Sequence, residues 1–368
     1  MTQKTFRVAI IGTGMIAHSA HIPAWKAQKD AVELVAAADI LPERVAKMGT
    51  EHDIPHIYTD WQKMLDEEQP DIVSVCTPNV YHKAPTIAAL NSGAHVLCEK
   101  PITISTADAE EMYAAAESAG KQLIITQTTR FSNRAFAAKA YADSGRLGEM
   151  YYAETAWFRR RGIPTWGVFH MKEHNAGGPI YDLGVHMLDL LIWVMGNPKI
   201  SAVSGMTATK FGNIDENLAT SLADSGAPAG TLTPRPYDYH EYDVEDFAVG
   251  FLRLQNGASI VLRTSWAANV PENANTTFIL GTQGGLQLRP DFEMISNIGA
   301  LQANTTFKVP ADAKVSFSGH FACMAHALRV FRGEEESVVK RAEVLNVMRA
   351  LEGLYQSAEE GREIQLDA

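Results

Sequence analysis

Three clusters in this chain have the residue types and spacing that chemistry needs. Asp182 and His186 stand four apart in the segment Ile180–Met195, and on a helix that spacing projects both from one face, where a carboxylate and an imidazole could share the movement of a proton. Glu99-Lys100-Pro101 follows the apolar run Ala94–Cys98, so a carboxylate and an ammonium leave the end of a strand together. Gly12-Thr13-Gly14-Met15-Ile16-Ala17 follows Phe6–Ile11 and has the form G-x-G-x-x-A. In that form Gly12 permits a tight turn, Gly14 lets the backbone approach a pyrophosphate, and Ala17 lets helix and strand pack closely. The free N–H groups and dipole of the helix that follows favour an anion, which makes Thr13, Met15 and Ile16 candidate contacts as well.

Each cluster also has an ordinary explanation. A lysine after a strand is commonly a solvated charge, an Asp/His pair is commonly local, and Thr77-Pro78-Asn79 reads as a turn. Context favours chemistry for the glycine loop. Asp39 closes a second apolar run 25 residues beyond Gly14, where a carboxylate can bind both hydroxyls of an adenosine ribose. A carboxylate there repels a 2′-phosphate, and the next residue is Ile40 rather than an arginine, with Arg44 placed on the following helix. NAD is expected over NADP.

The elements that must position these residues are legible in outline. Phe6–Ile11, Val32–Ala38, Asp71–Cys76, Ala94–Cys98 and Gln122–Thr126 read as buried strands, separated by helical stretches near Pro42–Gly49, Tyr81–Ser92 and Ala107–Ala119. Such alternation predicts a doubly wound parallel α/β sheet of Rossmann type over residues 1–128. Beyond it the pattern changes. Glu149–Arg159 alternates, Ile180–Met195 is helical, and strands at Asp246–Leu254, Ser259–Trp266 and Thr276–Leu280 include an Asn256-Gly257 hairpin turn. Residues 129–368 are therefore expected to form an α+β domain with an antiparallel sheet. Ala223–Tyr242 reads as a long loop, and helices at Ser318–Gly333 and Arg341–Glu360 close the chain, with packing back on the first domain left open.

Composition narrows the function. Lys and Arg total 32 against 43 Asp and Glu, a formal charge of −11, which argues against a sequence-blind nucleic-acid binder. With 46% hydrophobic residues there is ample core. No apolar stretch approaches the roughly 20 residues of a membrane span, and Met1–Thr5 leads straight into a strand-like run, so a cytoplasmic protein is expected. Cys76, Cys98 and Cys323 are too few and scattered for a disulfide framework or a cysteine zinc site. His170 and His174 lack the Glu of an H-E-x-x-H motif, and no metal is expected.

The glycine loop, Thr77-Pro78-Asn79 with His82, Glu99-Lys100-Pro101, and Gly177-Gly178-x-x-x-Asp182-x-Gly184-x-His186 together resemble the Gfo/Idh/MocA oxidoreductases, in order and over essentially the whole chain. Asp243–Asp246 and Leu280–Gly285 look like pieces of that family's second-domain sheet. The resemblance implies a large open sheet that often makes subunit interfaces, hence a homo-oligomer, dimer or tetramer. It implies a dehydrogenase that oxidises a secondary hydroxyl of a sugar, cyclitol or glycoside. His186 would be the base, Lys100 would stabilise the alkoxide, and Asp182 would orient the substrate. Glu99 would support Lys100 and the nicotinamide ribose. Thr77, Pro78, Asn79, His82, Gln127 and Trp166 would contact the cofactor, with Arg130 a further candidate at that edge. Trp166, Arg160 and His240 would contact the substrate. Arg159-Arg160-Arg161 equally suits a solvated strand edge, and Tyr237, Tyr239 and His240 equally suit a subunit contact. Two other readings remain open: oxidation at C3 of a glycoside as the opening step of bond cleavage with recycling NAD, and a non-catalytic NAD-binding regulator.

Overall fold

The computed structural model describes residues 4–214, 225, 236–271 and 274–366, so most of the expected Ala223–Tyr242 loop lies outside it. The described residues fall into two compact units, one of residues up to Thr128 together with Lys314–Arg341, the other of Thr129 to Ala313 together with the chain from Ala342 onward.

In the first unit, β1 (Phe6–Ile11), β2 (Val32–Ala38), β3 (His56–Tyr58), β4 (Ile72–Val75), β5 (His95–Cys98) and β6 (Leu123–Ile125) form a parallel sheet in the order β3-β2-β1-β4-β5-β6. That is the doubly wound dinucleotide-binding order. In the central strands Val8–Ile11, Ile72–Val75 and Val96–Cys98 have almost no exposure, as strands covered on both faces must. β3 is the strand the sequence reading omits. At three residues, with His56 and Ile57 exposed, it has no apolar run to announce it.

The helices are α1 (Ile22–Lys26), α2 (Pro42–His52), α3 (Trp61–Glu68), α4 (Lys83–Asn91), α5 (Thr106–Ala119), α6 (Asn133–Asp143), α7 (Lys172–Asn175), α8 (Val185–Val194), α9 (Ser318–Phe331) and α10 (Arg341–Glu360), and two of those in this unit start on local chemistry. Asp60 accepts from the N–H groups of Gln62 and Lys63 at the start of α3 (Trp61–Glu68), and Ser105 accepts from Asp108 N–H at the start of α5 (Thr106–Ala119), each satisfying donors that the first turn leaves without partners. α9 (Ser318–Phe331) belongs to this unit, and Gly319 approaches Thr128 O so closely that a Cβ would stand 2.7 Å from it.

The second unit is built on a sheet ordered β14-β13-β12-β11-β7-β10-β9-β8-β15. Its strands are β7 (Met150–Phe158), β8 (Ile200–Ala208), β9 (Phe247–Leu254), β10 (Ser259–Ser265), β11 (Thr277–Gly281), β12 (Gly285–Arg289), β13 (Glu293–Ile298), β14 (Leu301–Thr306) and β15 (Ile364–Gln365). All neighbours are antiparallel except β7 and β10. The β13–β14 hairpin lies beyond Thr276–Leu280, the last strand expected from the sequence. One face carries α8 (Val185–Val194) and α10 (Arg341–Glu360). Leu354 of α10 lies directly over Gly205 and Gly250, where a side chain would collide with it.

Candidate active site

The first unit presents the C-terminal edge of its sheet. Gly12 has φ +87° and faces the Cys76–Thr77 backbone so closely that a Cβ would stand 2.7 Å from Cys76 C, which only glycine tolerates. A Cβ on Gly14 would meet nothing within 4 Å. The loop is thus closed on its strand side and open above Gly14, the shape a pyrophosphate needs. Two buried oxygens at this edge, Thr77 Oγ1 after β4 and Gln127 Oε1 after β6, have no hydrogen-bond partner within the protein. Buried polar atoms left so call for a partner from outside the chain, a water or a ligand. These features fit a dinucleotide.

Asp39 is buried. Its Oδ2 accepts from Thr13 N–H at 2.8 Å and Thr13 Oγ1 at 2.9 Å, and its Oδ1 from Leu41 N–H at 3.0 Å. Thr13 therefore anchors Asp39, while Met15 and Ile16 lead into a π-type turn at Ala17–His21. Arg44 Nη1 stands 3.5 Å from Asp39 Oδ2, so the arginine on the following helix reaches the carboxylate after all. Ile40 is 80% exposed beside it.

Pro78 and Asn79 open a short 3-10 turn, Asn79–Tyr81, above the sheet. His82 departs from the expected cofactor role. Its ring is fully buried, with Nδ1 2.8 Å from Pro101 O and Nε2 2.8 Å from Thr77 O. It stitches the loop after β4 to the loop after β5. Lys100 is partly open and Glu99 is buried beside it, with Glu99 Oε2 accepting from Lys100 N–H at 3.1 Å.

In the second unit the helix that carries Asp182 and His186 starts as a π-type turn, Ile180–Gly184, before α8 takes over. From Ile180 to Val194 every residue is buried except Asp182 and His186, which keep partial exposure. Two polar side chains one turn apart are thus the open points of an apolar helix. Asp182 is held by neighbours the sequence reading missed: Trp266 Nε1–H donates to its Oδ2 at 2.8 Å, and Arg159 Nη1 lies 3.8 Å from the same oxygen. Trp157 lies beside the His186 ring, centroids 6.3 Å apart.

Glu245 fixes the start of this helix. It accepts from Gly178 N–H at 2.9 Å, Ile180 N–H at 3.1 Å and Tyr355 Oη at 2.8 Å. Burial raises its carboxyl despite those donors. Gly178 approaches Glu245 O so closely that a Cβ would stand 2.1 Å away.

The remaining expected residues are placed as follows. Arg160 is exposed, and of the three arginines Arg159 reaches Asp182. Arg161 reaches Asn269 Oδ1 at 2.8 Å and covers the Phe211 ring. Arg130 is engaged within the second unit. Its side chain is buried between Asp189 (Nε–Oδ2 2.6 Å, Nη2–Oδ1 2.5 Å) and Glu343, and it lies over Trp193. Asp189, three residues after His186, is thereby a structural partner. Trp166 is buried against Phe169, its indole Nε1 without a protein partner. His240 is exposed and bonded to Asp238 Oδ1 at 2.8 Å, whereas Tyr237 is tied inward to Gly212 O at 2.7 Å.

Comparison with known proteins agrees with this architecture. A family model described as an oxidoreductase family with an NAD-binding Rossmann fold matches residues 6–127, and one described as the GFO/IDH/MocA C-terminal domain matches residues 136–287. The chain is 32% identical over 368 residues to D-glucoside 3-dehydrogenase of Escherichia coli, covering 100% of this chain and 99% of that one. It is 25% identical over 374 residues to D-apiose dehydrogenase of Paraburkholderia graminis, covering 99% and 91%. Among solved structures, levoglucosan dehydrogenase in complex with NADH and levoglucosan superposes with a TM-score of 0.81 at 19% identity, over 99% of this chain and 100% of that one, a likeness of fold. Matched by models of both its halves, the chain belongs to the Gfo/Idh/MocA family of oxidoreductases.

Proposed function

We propose that this protein is a cytoplasmic, NAD-dependent dehydrogenase that oxidises a secondary hydroxyl of a sugar, cyclitol or glycoside. The observation that carries the reading is the pair Asp182 and His186, the only open side chains on an otherwise buried, apolar helix, with Trp266 and Arg159 fixing the carboxylate. NAD, when bound, supplies the hydride acceptor. The oxidation turns CH–OH into C=O, so the hydroxyl proton needs an acceptor, and His186 takes it. Lys100 donates a hydrogen bond to the same oxygen and stabilises its developing negative charge. Asp182 holds a neighbouring hydroxyl. In reduction His186 returns the proton. These roles rest on the chemistry of the three side chains and on the family to which the chain belongs.

The carboxylate of Asp39 and exposed Ile40 favour NAD, the first through ribose hydroxyls and the second as an apolar seat for adenine. Arg44, 3.5 Å from Asp39, is the group that a 2′-phosphate would use, so Asp39→Ser should raise kcat/KM for NADP relative to NAD by ~10-fold or more. Full-length similarity to a D-glucoside 3-dehydrogenase makes glycosides the first substrates to try. It also keeps a second reading in play, in which a C3 ketone acidifies the neighbouring C–H, the aglycone is eliminated, and NAD stays bound to be regenerated. Ile298 (69% exposed) and Leu301 (73% exposed) stand on the β13–β14 hairpin and support self-association through the large sheet. Product formation with NAD across inositols, pyranoses, anhydrosugars and glycosides tests the assignment, and light scattering tests the oligomer.

A further inference from the structure

Two histidines that the reaction does not use converge on Glu99. His21 ends the π-type turn after the glycine loop, and His320 lies in the first turn of α9. His21 Nε2 is 2.8 Å and His320 Nε2 is 3.2 Å from the same carboxylate oxygen, Oε1, while Oε2 accepts the Lys100 N–H at 3.1 Å. All three side chains are buried. Other titratable groups that feel Glu99 include Cys76, Cys98 and Cys323, whose thiols burial pushes up, and His82, and Lys100 is its neighbour in the chain. Burial alone would raise the Glu99 carboxyl, yet the two imidazoles hold it well below the usual carboxylate range.

A metal would also draw two histidines and a carboxylate together, and the three ligand atoms lie within 4.8 Å of one another. The arrangement argues against one. Both rings address a single oxygen at hydrogen-bond distance, which two Nε2–H donors explain. Moreover, His21 Nδ1 is buried without a partner, whereas a metal-bound histidine almost always anchors its second nitrogen.

We propose that His21 and His320 are positioning residues that clamp one oxygen of Glu99 so that the other fixes the main chain of Lys100. The clamp ties the first helical turn and α9 to the residue that meets the substrate oxygen, and its catalytic meaning rests on the proposed role of Lys100. Without the clamp a buried carboxyl takes up a proton and releases the Lys100 N–H, because burial then acts unopposed.

The test compares His320→Ala and His320→Gln, the second retaining an N–H donor, with His21→Gln as a further variant should His320→Ala not fold. Infrared difference spectra, assigned with Glu99→Gln, report the carboxyl directly and need no substrate. A protonated Glu99 band near neutral pH is expected in His320→Ala and not in the wild type or His320→Gln. In turnover, kcat of His320→Ala should fall about 10-fold further relative to wild type as pH drops by about two units, with KM for NAD within about threefold and His320→Gln largely restored. A uniform kcat loss at every pH with no carboxyl band, no rescue by glutamine, or stoichiometric bound metal would each overturn the clamp. If the infrared result holds while no hydroxyl substrate turns over, the clamp stands and the dehydrogenase assignment fails.

Discussion

At the scale of single residues, most of the candidate chemistry could be read from the sequence, but its supporting shell could not. Glu99, Lys100, Asp182 and His186 stand in short motifs that each have an ordinary explanation alone, and it is their occurrence together, in the order of the family they resemble, that points to proton transfer. Trp266 and Arg159 hold Asp182 through contacts spanning 84 and 23 positions, and such partners leave no mark in local sequence. Arg130 shows the converse. It sits beside a cofactor edge in the sequence, yet Asp189 and Glu343 take its guanidinium. Lys100→Ala and His186→Ala should each cut turnover by at least ~10²-fold, the cost of losing an acid–base or oxyanion partner; steady-state rates decide it, and near-normal turnover would contradict the assigned roles. Trp266→Phe removes one donor to Asp182 while keeping the ring. Its kcat/KM should fall by ~10-fold, about the worth of one hydrogen bond to a charged group, with the melting temperature little changed.

At the scale of elements, strands with a continuous or alternating apolar face announce themselves, and those without one do not. β1 and β2 have the bounds their apolar runs suggest. β13 and β14, with sequences EMISNI and LQANTT, mix polar and apolar residues without a buried face and stay invisible until paired. The segment Ile180–Met195 reads correctly as helical, but its opening π-type turn does not follow from side-chain periodicity. That turn is anchored from outside by Glu245, whose carboxylate takes the N–H of Ile180 at its start, the N–H of Gly178 just before it and the Tyr355 hydroxyl. Glu245→Ala would leave those donors buried and unpaired. We expect a loss of about 2–4 kcal/mol in urea unfolding together with reduced kcat, because the helix that presents Asp182 and His186 loses its fixed start.

For the molecule as a whole, the buried histidines set how stability depends on pH. Burial, helped by the Lys121 ammonium, pushes His95 down to about 4, and burial lowers His21 despite Glu99. Unfolded histidines take up protons near 6.5, so between about 6.5 and 4 the unfolded chain binds more protons than the folded one. Stability is thus full above that window and is lost as pH falls through it. Asp189 and Glu245, raised by burial, act with the opposite sign above the ordinary carboxylate range and soften the loss. Calorimetry should find a lower melting temperature at about pH 5 than at about pH 7.5. His95→Gln, which removes a ring that accepts Gln122 N–H and stacks on Phe331, should make the dependence shallower. An unchanged melting temperature would contradict neutral buried imidazoles.

The most direct measurement of the central claim is ultraviolet detection of NADH formed from NAD and a panel of glycosides, anhydrosugars, free pyranoses and inositols. The account predicts NADH formation with at least one member, faster with NAD than with NADP, and its near abolition by His186→Ala. Tight NAD binding with no NADH and no altered product from any member of the panel would contradict it.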